Sequence, residues 1–180
     1  STLAVSGGSA QHAVVGTSFS APLVAQVNDA YGNPVADATV VFAAPTSTAT
    51  AVLATPTAKT DASGKARTQV TAGTKTGSYD VVATMEGAAT PIRFALTNDP
   101  GAAFAVVAED TATPQSTEVG HAFGRPLQVT VRDAFGNRVP GEPVHFAAPD
   151  AGATAILSAA DTATDGEGTS SVLAIANELI

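Results

Sequence analysis

The stretch Asp29-Ala30-Tyr31-Gly32-Asn33-Pro34-Val35 returns as Asp133-Ala134-Phe135-Gly136-Asn137-Arg138-Val139, a shift of about 104 residues. The same offset carries Val15-Gly16 onto Val119-Gly120, Phe19 onto Phe123, Pro22-Leu23 onto Pro126-Leu127, and Phe42-Ala43-Ala44-Pro45 onto Phe146-Ala147-Ala148-Pro149. Thr60-Asp61 recurs as Thr164-Asp165 and Gly64 as Gly168, with no gap along the run and about a third of the overlapping positions identical. A repeat of this length can own a hydrophobic core, whereas the shorter unit of a solenoid must lean on its neighbours. The chain therefore reads as two domains in tandem, residues 1–99 and 100–180.

The chemistry of the repeated stretch is that of a turn. Asp29 offers a side-chain acceptor to nearby backbone, Gly32 and Asn33 tolerate positive φ, and Pro34 blocks a helix or a continuing ladder. Asp29 and Asp133 stand before Gly-Asn in both copies, which favours a cap for backbone N–H groups over a catalytic carboxylate. The expected structural loop set is Asp29, Gly32 and Asn33, with Asp133, Gly136 and Asn137.

Outward from the loop, short alternating segments follow one another. Leu23, Ala25 and Val27 alternate before it, and Val40 and Phe42 share a face after it. Ala51-Val52-Leu53 forms a short strand, and Ala66, Thr68 and Val70 alternate with Arg67, Gln69 and Thr71. Residues 78–83 and the series Ile92, Phe94, Leu96 supply two more strands, and Thr2 to Ser6 opens the copy before Gly7-Gly8-Ser9 interrupts it. About seven strands with turns every 8 to 12 residues is the pattern of an immunoglobulin-like sandwich. No apolar helical period persists. The expected fold is all-β: tandem immunoglobulin-like Greek-key β-sandwiches. The offset pairs Ile180 with Thr76, so the second is expected to be truncated before its last two strands, leaving Val131, Val144 and Phe146 partly wet.

Composition bounds the function. The chain of 180 residues is 44% hydrophobic, 5% aromatic and 13% charged, without Cys or Trp, so its cores rest on Val, Ala, Leu and Ile. Sixteen acidic against eight basic residues give a formal net charge of −8, with no basic cluster, which argues against nucleic acid as a partner. No apolar run is long enough to span a membrane, so no membrane insertion by this segment is expected.

Val15-Gly16-Thr17-x-Phe19, Asp29-Ala30-Tyr31-Gly32-Asn33-Pro34-Val35, Thr60-Asp61-x-x-Gly64-x-Ala66 and Gly77-Ser78-Tyr79-x-Val81-x-Ala83 together resemble the bacterial immunoglobulin-like domains of the intimin and invasin type. The second copy departs from this pattern at Arg138 and Ser170. The resemblance implies repeats in a large Gram-negative surface adhesin, forming a stalk that holds a distal binding domain away from the outer membrane. The implied partners are neighbouring repeats of the same long chain and, through another domain, a host surface receptor. The alternative is a repeat whose sandwich-end loops themselves bind a host protein or glycan.

An enzyme is not expected: no Gly-x-Ser-x-Gly elbow or phosphate-cradling loop occurs, and His12, His121 and His145 lie at no metal-ligand spacing. No cofactor is expected. Ca²⁺ at the domain junction is the one ligand considered, with Asp99, Asp133 and Asn137 as candidate ligands and Asn98, Asp161 and Asp165 toward the same end. Tyr79, two residues before Val81, is expected to form a tyrosine corner with its hydroxyl on nearby backbone. Tyr31 and Phe135 are the loop aromatics, and their recurrence favours packing.

Overall fold

The computed structural model describes residues 1–46, 48–109 and 113–177. It divides into two compact units, Ser1–Pro100 and Gly101–Ile180.

In the first unit, β1 (Thr2–Gly7), β3 (Leu23–Asn28) and β7 (Lys65–Thr68) form one antiparallel sheet in the order β1-β3-β7. The facing sheet has the order β2-β10-β9-β4-β6, built from β2 (Gln11–Val14), β4 (Thr39–Ala43), β6 (Thr57–Lys59), β9 (Gly77–Met85) and β10 (Ile92–Asp99). A small ribbon pairs β5 (Ala51–Leu53) with β8 (Val70–Ala72). The interruption at Gly7-Gly8-Ser9 is where the chain leaves β1 and crosses to the other sheet, where β2 runs parallel to β10.

Alternation along the strands decides which face is dry. Leu23, Ala25 and Val27 on β3 are buried while Val24, Gln26 and Asn28 are half-buried. Val40 and Phe42 on β4, Val81 and Ala83 on β9, and Phe94 and Leu96 on β10 meet them from the opposite sheet. The Phe42 and Phe94 rings lie 6.0 Å apart at a 43° tilt, a favourable aromatic geometry at the centre of this core. Two elements differ from the sequence pattern. Strand β6 adds to the edge of β4, where the short run Thr57–Lys59 carries no apolar alternation. The segment after Gly64 splits at Gln69 into β7 and β8: the inward series Ala66, Thr68, Val70 continues, but the pairing partner changes from β3 to β5.

In the second unit, β11 (Ala103–Ala108), β12 (Leu127–Asp133) and β16 (Thr169–Val172) repeat the first sheet in the order β11-β12-β16. Two ribbons accompany it: β13 (Pro143–His145) with β15 (Asp161–Ala163), and β14 (Ala155–Leu157) with β17 (Ala174–Ala176). Among the described residues nothing corresponds to β2, β9 or β10, so β13 has β15 on one side and no strand on the other. Its core is a small cluster of Val131, Val139 and Val144, with Val129 and Phe146 packed against it. Phe146 is half-buried where Phe42 is 1% exposed. Val131 and Val144 differ from expectation in being buried. Beyond the turn the chain doubles back, with the Val139 N–H bonded to the Val131 carbonyl at 2.9 Å, and covers Val131 locally.

Candidate functional site

Asp29, Asp61, Asp133 and Asp165 close four turns of the same build. At Asp29 the backbone N–H donates to the Asn33 carbonyl (2.8 Å), Gly32 N–H donates back to the Asp29 carbonyl (3.3 Å), and Oδ1 accepts the N–H groups of Tyr31 (2.8 Å) and Asn33 (2.9 Å). Asp133 repeats every one of these bonds with Asn137, Gly136 and Phe135, Asp61 with Lys65, Gly64 and Ser63, and Asp165 with Thr169, Gly168 and Glu167. An Asp side chain is just long enough to satisfy the N–H groups two and four residues ahead, which no strand pairs within the turn. The fourth residue is glycine at positive φ in all four turns, 88° at Gly32 and 73° at Gly64.

These bonds favour the charged carboxylates. The Asn33 side-chain amide and backbone N–H hold Asp29 below the usual carboxylate range. The Ser63 hydroxyl, the Lys65 N–H and the Arg67 guanidinium at 2.6 Å hold Asp61 far below it. Burial pushes Asp133 up, but the Asn137 amide and the N–H groups of Gly101, Asn137 and Phe135 outweigh it.

A threonine ties the two turns of each unit together. The Thr60 hydroxyl donates to the Val35 carbonyl (2.7 Å) and accepts the Ala38 N–H (2.9 Å), and Thr164 does the same with Val139 (2.7 Å) and Glu142 (2.8 Å). Each threonine therefore ties the start of the second turn to the segment leaving the first. Gln11 carries no motif, although Gln115 stands at the same offset. Both glutamines grip one residue by its backbone: Gln11 bonds the N–H and carbonyl of Ala21, and Gln115 those of Arg125. Thr50 and Thr154 likewise donate to the carbonyls of Pro45 and Pro149.

The candidate Ca²⁺ ligands have partners inside their own units. Asp133 Oδ1 accepts two backbone N–H groups, and Oδ2 accepts the Asn137 amide and the Gly101 N–H at 2.9 Å each, which fills the four acceptor positions of a carboxylate. Asp99 Oδ1 lies 3.2 Å from His12 Nδ1, and Asp161 Oδ1 lies 2.8 Å from His145 Nδ1. Asn98 is 1% exposed, and its amide group donates to the carbonyls of Thr50 and Lys75. Among the described residues no group of three or more His, Asp or Glu side chains is placed to hold a metal ion.

The Tyr79 hydroxyl donates to the Asn98 side-chain oxygen at 3.0 Å, and not to nearby backbone as a tyrosine corner would. The antiparallel register sets Tyr79 opposite Leu96, which leaves Asn98 two residues further along the neighbouring strand and within reach. Burial pushes the Tyr79 hydroxyl up to about 12. Tyr31 also departs from expectation: it is 91% exposed at the tip of its turn, so its ring packs on nothing in the unit, while Phe135 is 45% exposed.

Residues 16–97 match the family of bacterial Ig-like domains, group 1. Among solved structures, FdeC, an Escherichia coli adhesin, is 22% identical with a TM-score of 0.50, over 98% of this chain and 55% of that one. The D0-D1 domain of intimin is 22% identical with a TM-score of 0.45, over 97% of this chain and 84% of the other. The Yersinia pseudotuberculosis adhesin InvE is 20% identical with a TM-score of 0.46, over 97% and 50%. The chain thus spans about half the length of the FdeC and InvE structures. Comparison with curated proteins gives no match. Residues 16–97 are therefore similar to the bacterial immunoglobulin-like domains of group 1, and the chain shares the fold of the FdeC structure.

Proposed function

We propose that these repeats are a non-catalytic structural stalk of a bacterial cell-surface adhesin. They lie outside the cell in a longer chain that is anchored in the outer membrane elsewhere and presents a distal domain to a host receptor. One observation carries this reading: the polar side chains that recur between the copies, Asp29, Thr60, Asp61 and their counterparts Asp133, Thr164, Asp165, are all spent on bonds inside their own unit. Selection on a spacer acts on the fold itself, and these bonds are what hold the fold. The test replaces the segment, in its parent adhesin, by an equal number of unrelated immunoglobulin-like domains. Adhesion of bacteria to host cells should persist. Loss of adhesion with surface display intact would overturn the spacer reading.

The exposed Tyr31 ring favours a second reading, in which the loop itself binds a host protein or glycan. A rigid turn that presents a bare aromatic ring has little conformational entropy left to lose on binding. Under this reading the purified chain binds host cells and Tyr31→Ser abolishes that binding. Equal retention of both proteins on host cells removes it.

A further inference from the structure

Asp133 builds the same turn as Asp29 and also reaches beyond it. Its Oδ2 accepts the backbone N–H of Gly101 at 2.9 Å, across 32 residues of sequence. Gly101 lies in the short connection between β10, which ends at Asp99, and β11, which begins at Ala103. The register starts at the same place, since Ala103 pairs with Asp133. We propose that Asp133 is a linker clamp, a positioning residue that fixes where the second unit begins by holding the connecting segment to its own turn.

The other side of the connection is held as well. Asp99 pairs with Val14, and its carbonyl accepts the Val15 N–H at 2.9 Å. Pro100 is thus the one residue between a neighbour tied to the first unit and a neighbour tied to the second, and its ring fixes its own φ. The turn and the clamp use different oxygens. Oδ1 serves Phe135 and Asn137 of the turn, while Oδ2 serves Gly101 together with the Asn137 amide. The repeated residue therefore carries two roles: Oδ1, which an asparagine would keep, closes the turn on Phe135 and Asn137, and Oδ2, which an asparagine would replace by NH₂, holds Gly101 and the Asn137 amide.

The experiment uses the full chain. In the unaltered protein a long-range amide-to-carbonyl NMR correlation should connect Gly101 N to the Asp133 side-chain carboxyl carbon. Asp133→Asn keeps an oxygen for the two turn N–H groups and presents an NH₂ group to Gly101. Amide exchange at Gly101 should then accelerate by about tenfold or more, the loss of one hydrogen bond worth about 1.4 kcal/mol, while Phe135 and Asn137 keep their protection. Asp29→Asn, the matched control in the first unit, should leave Gly101 unchanged. Unaltered Gly101 exchange in folded Asp133→Asn overturns the clamp. If that variant does not fold, the correlation in the unaltered chain decides alone: its presence supports the clamp and its absence overturns it.

Discussion

Thr60 is 4% exposed, and its one hydroxyl serves a donor and an acceptor at once. Valine has the same shape and no hydroxyl, so Thr60→Val takes the partner from the half-buried Ala38 N–H and Val35 carbonyl. A fully buried group left unpaired costs about 1 to 3 kcal/mol, and water reaches these two in part, so the substitution should lower the stability of the first unit by about 2 to 4 kcal/mol, with Thr60→Ser much milder. Chemical denaturation of the three proteins measures the difference. The turn aspartates set a pH dependence. Asp29, Asp61 and Asp133 are held below the unfolded carboxylate value of about 3.9, so their contribution is complete above that value. It is lost as pH falls through the lower folded values, when the carboxylates protonate and give up their N–H bonds. The melting temperature should be flat from about pH 7 to 5 and fall below about pH 4. Asp61→Asn should flatten that fall, and a melting temperature independent of pH down to about 2 would contradict the sign.

At the scale of elements, the four turns look interchangeable in sequence but differ in what surrounds their glycines. A methyl group on Gly32 would meet nothing within 4 Å, whereas on Gly64 it would lie 2.6 Å from the Val27 carbonyl oxygen and 3.0 Å from Pro34 Cβ. Gly64 sits where the second turn packs on the backbone of the first, a contact that also carries the bond from Val27 N–H to the Gly64 carbonyl at 2.8 Å. Gly32→Ala therefore meets only the left-handed backbone penalty, about 1 to 2 kcal/mol. Gly64→Ala meets that penalty plus a backbone collision, and should cost at least about 2 kcal/mol more. Gly32→Asn, whose side chain tolerates this conformation, should come close to the unaltered protein. Urea midpoints for the three variants check the order, and equal losses at Gly32 and Gly64 would refute the packing argument.

For the whole molecule, the two units differ in how much of their inner faces is dry. The first buries Phe19, Phe42 and Phe94 in one cluster with Leu23 and Leu96; the second gathers only Val131, Val139 and Val144 into a cluster and leaves Phe146 half-buried and Phe104 76% exposed. Residues 1–100 expressed alone should unfold in a single cooperative transition, with the midpoint they show in the tandem. In the tandem, amides of β3, β9 and β10 should exchange at the rate of global unfolding of their unit, and amides of β13 and β15 much faster. Uniform protection across both units would show that the second owns a core as complete as the first.

The sequence by itself determined whatever depends on residues close together along the chain. The repeat offset, the dry series Leu23, Ala25, Val27 and the pair Val40, Phe42 follow from period-2 alternation, and the Asp-x-x-Gly turns close through bonds spanning at most four residues. The resemblance of residues 16–97 to bacterial Ig-like domains was legible for the same reason, because these turns and alternations carried it. Other features were decided only when distant segments met. Strand β2 turns parallel to β10, and β6 adds to β4 without any pattern of its own. Asn98 gathers bonds from Thr50, Lys75 and Tyr79, each 19 or more residues away, and a lone asparagine carries no sign of such a role. Tyr31 and Phe135 recur like core residues yet stand outward, since recurrence marks a constraint without saying on which side of the backbone it acts. Asp133 acquires Gly101 only because pairing of β11 with β12 lays the linker against the turn, a contact set by strand register and not by local spacing.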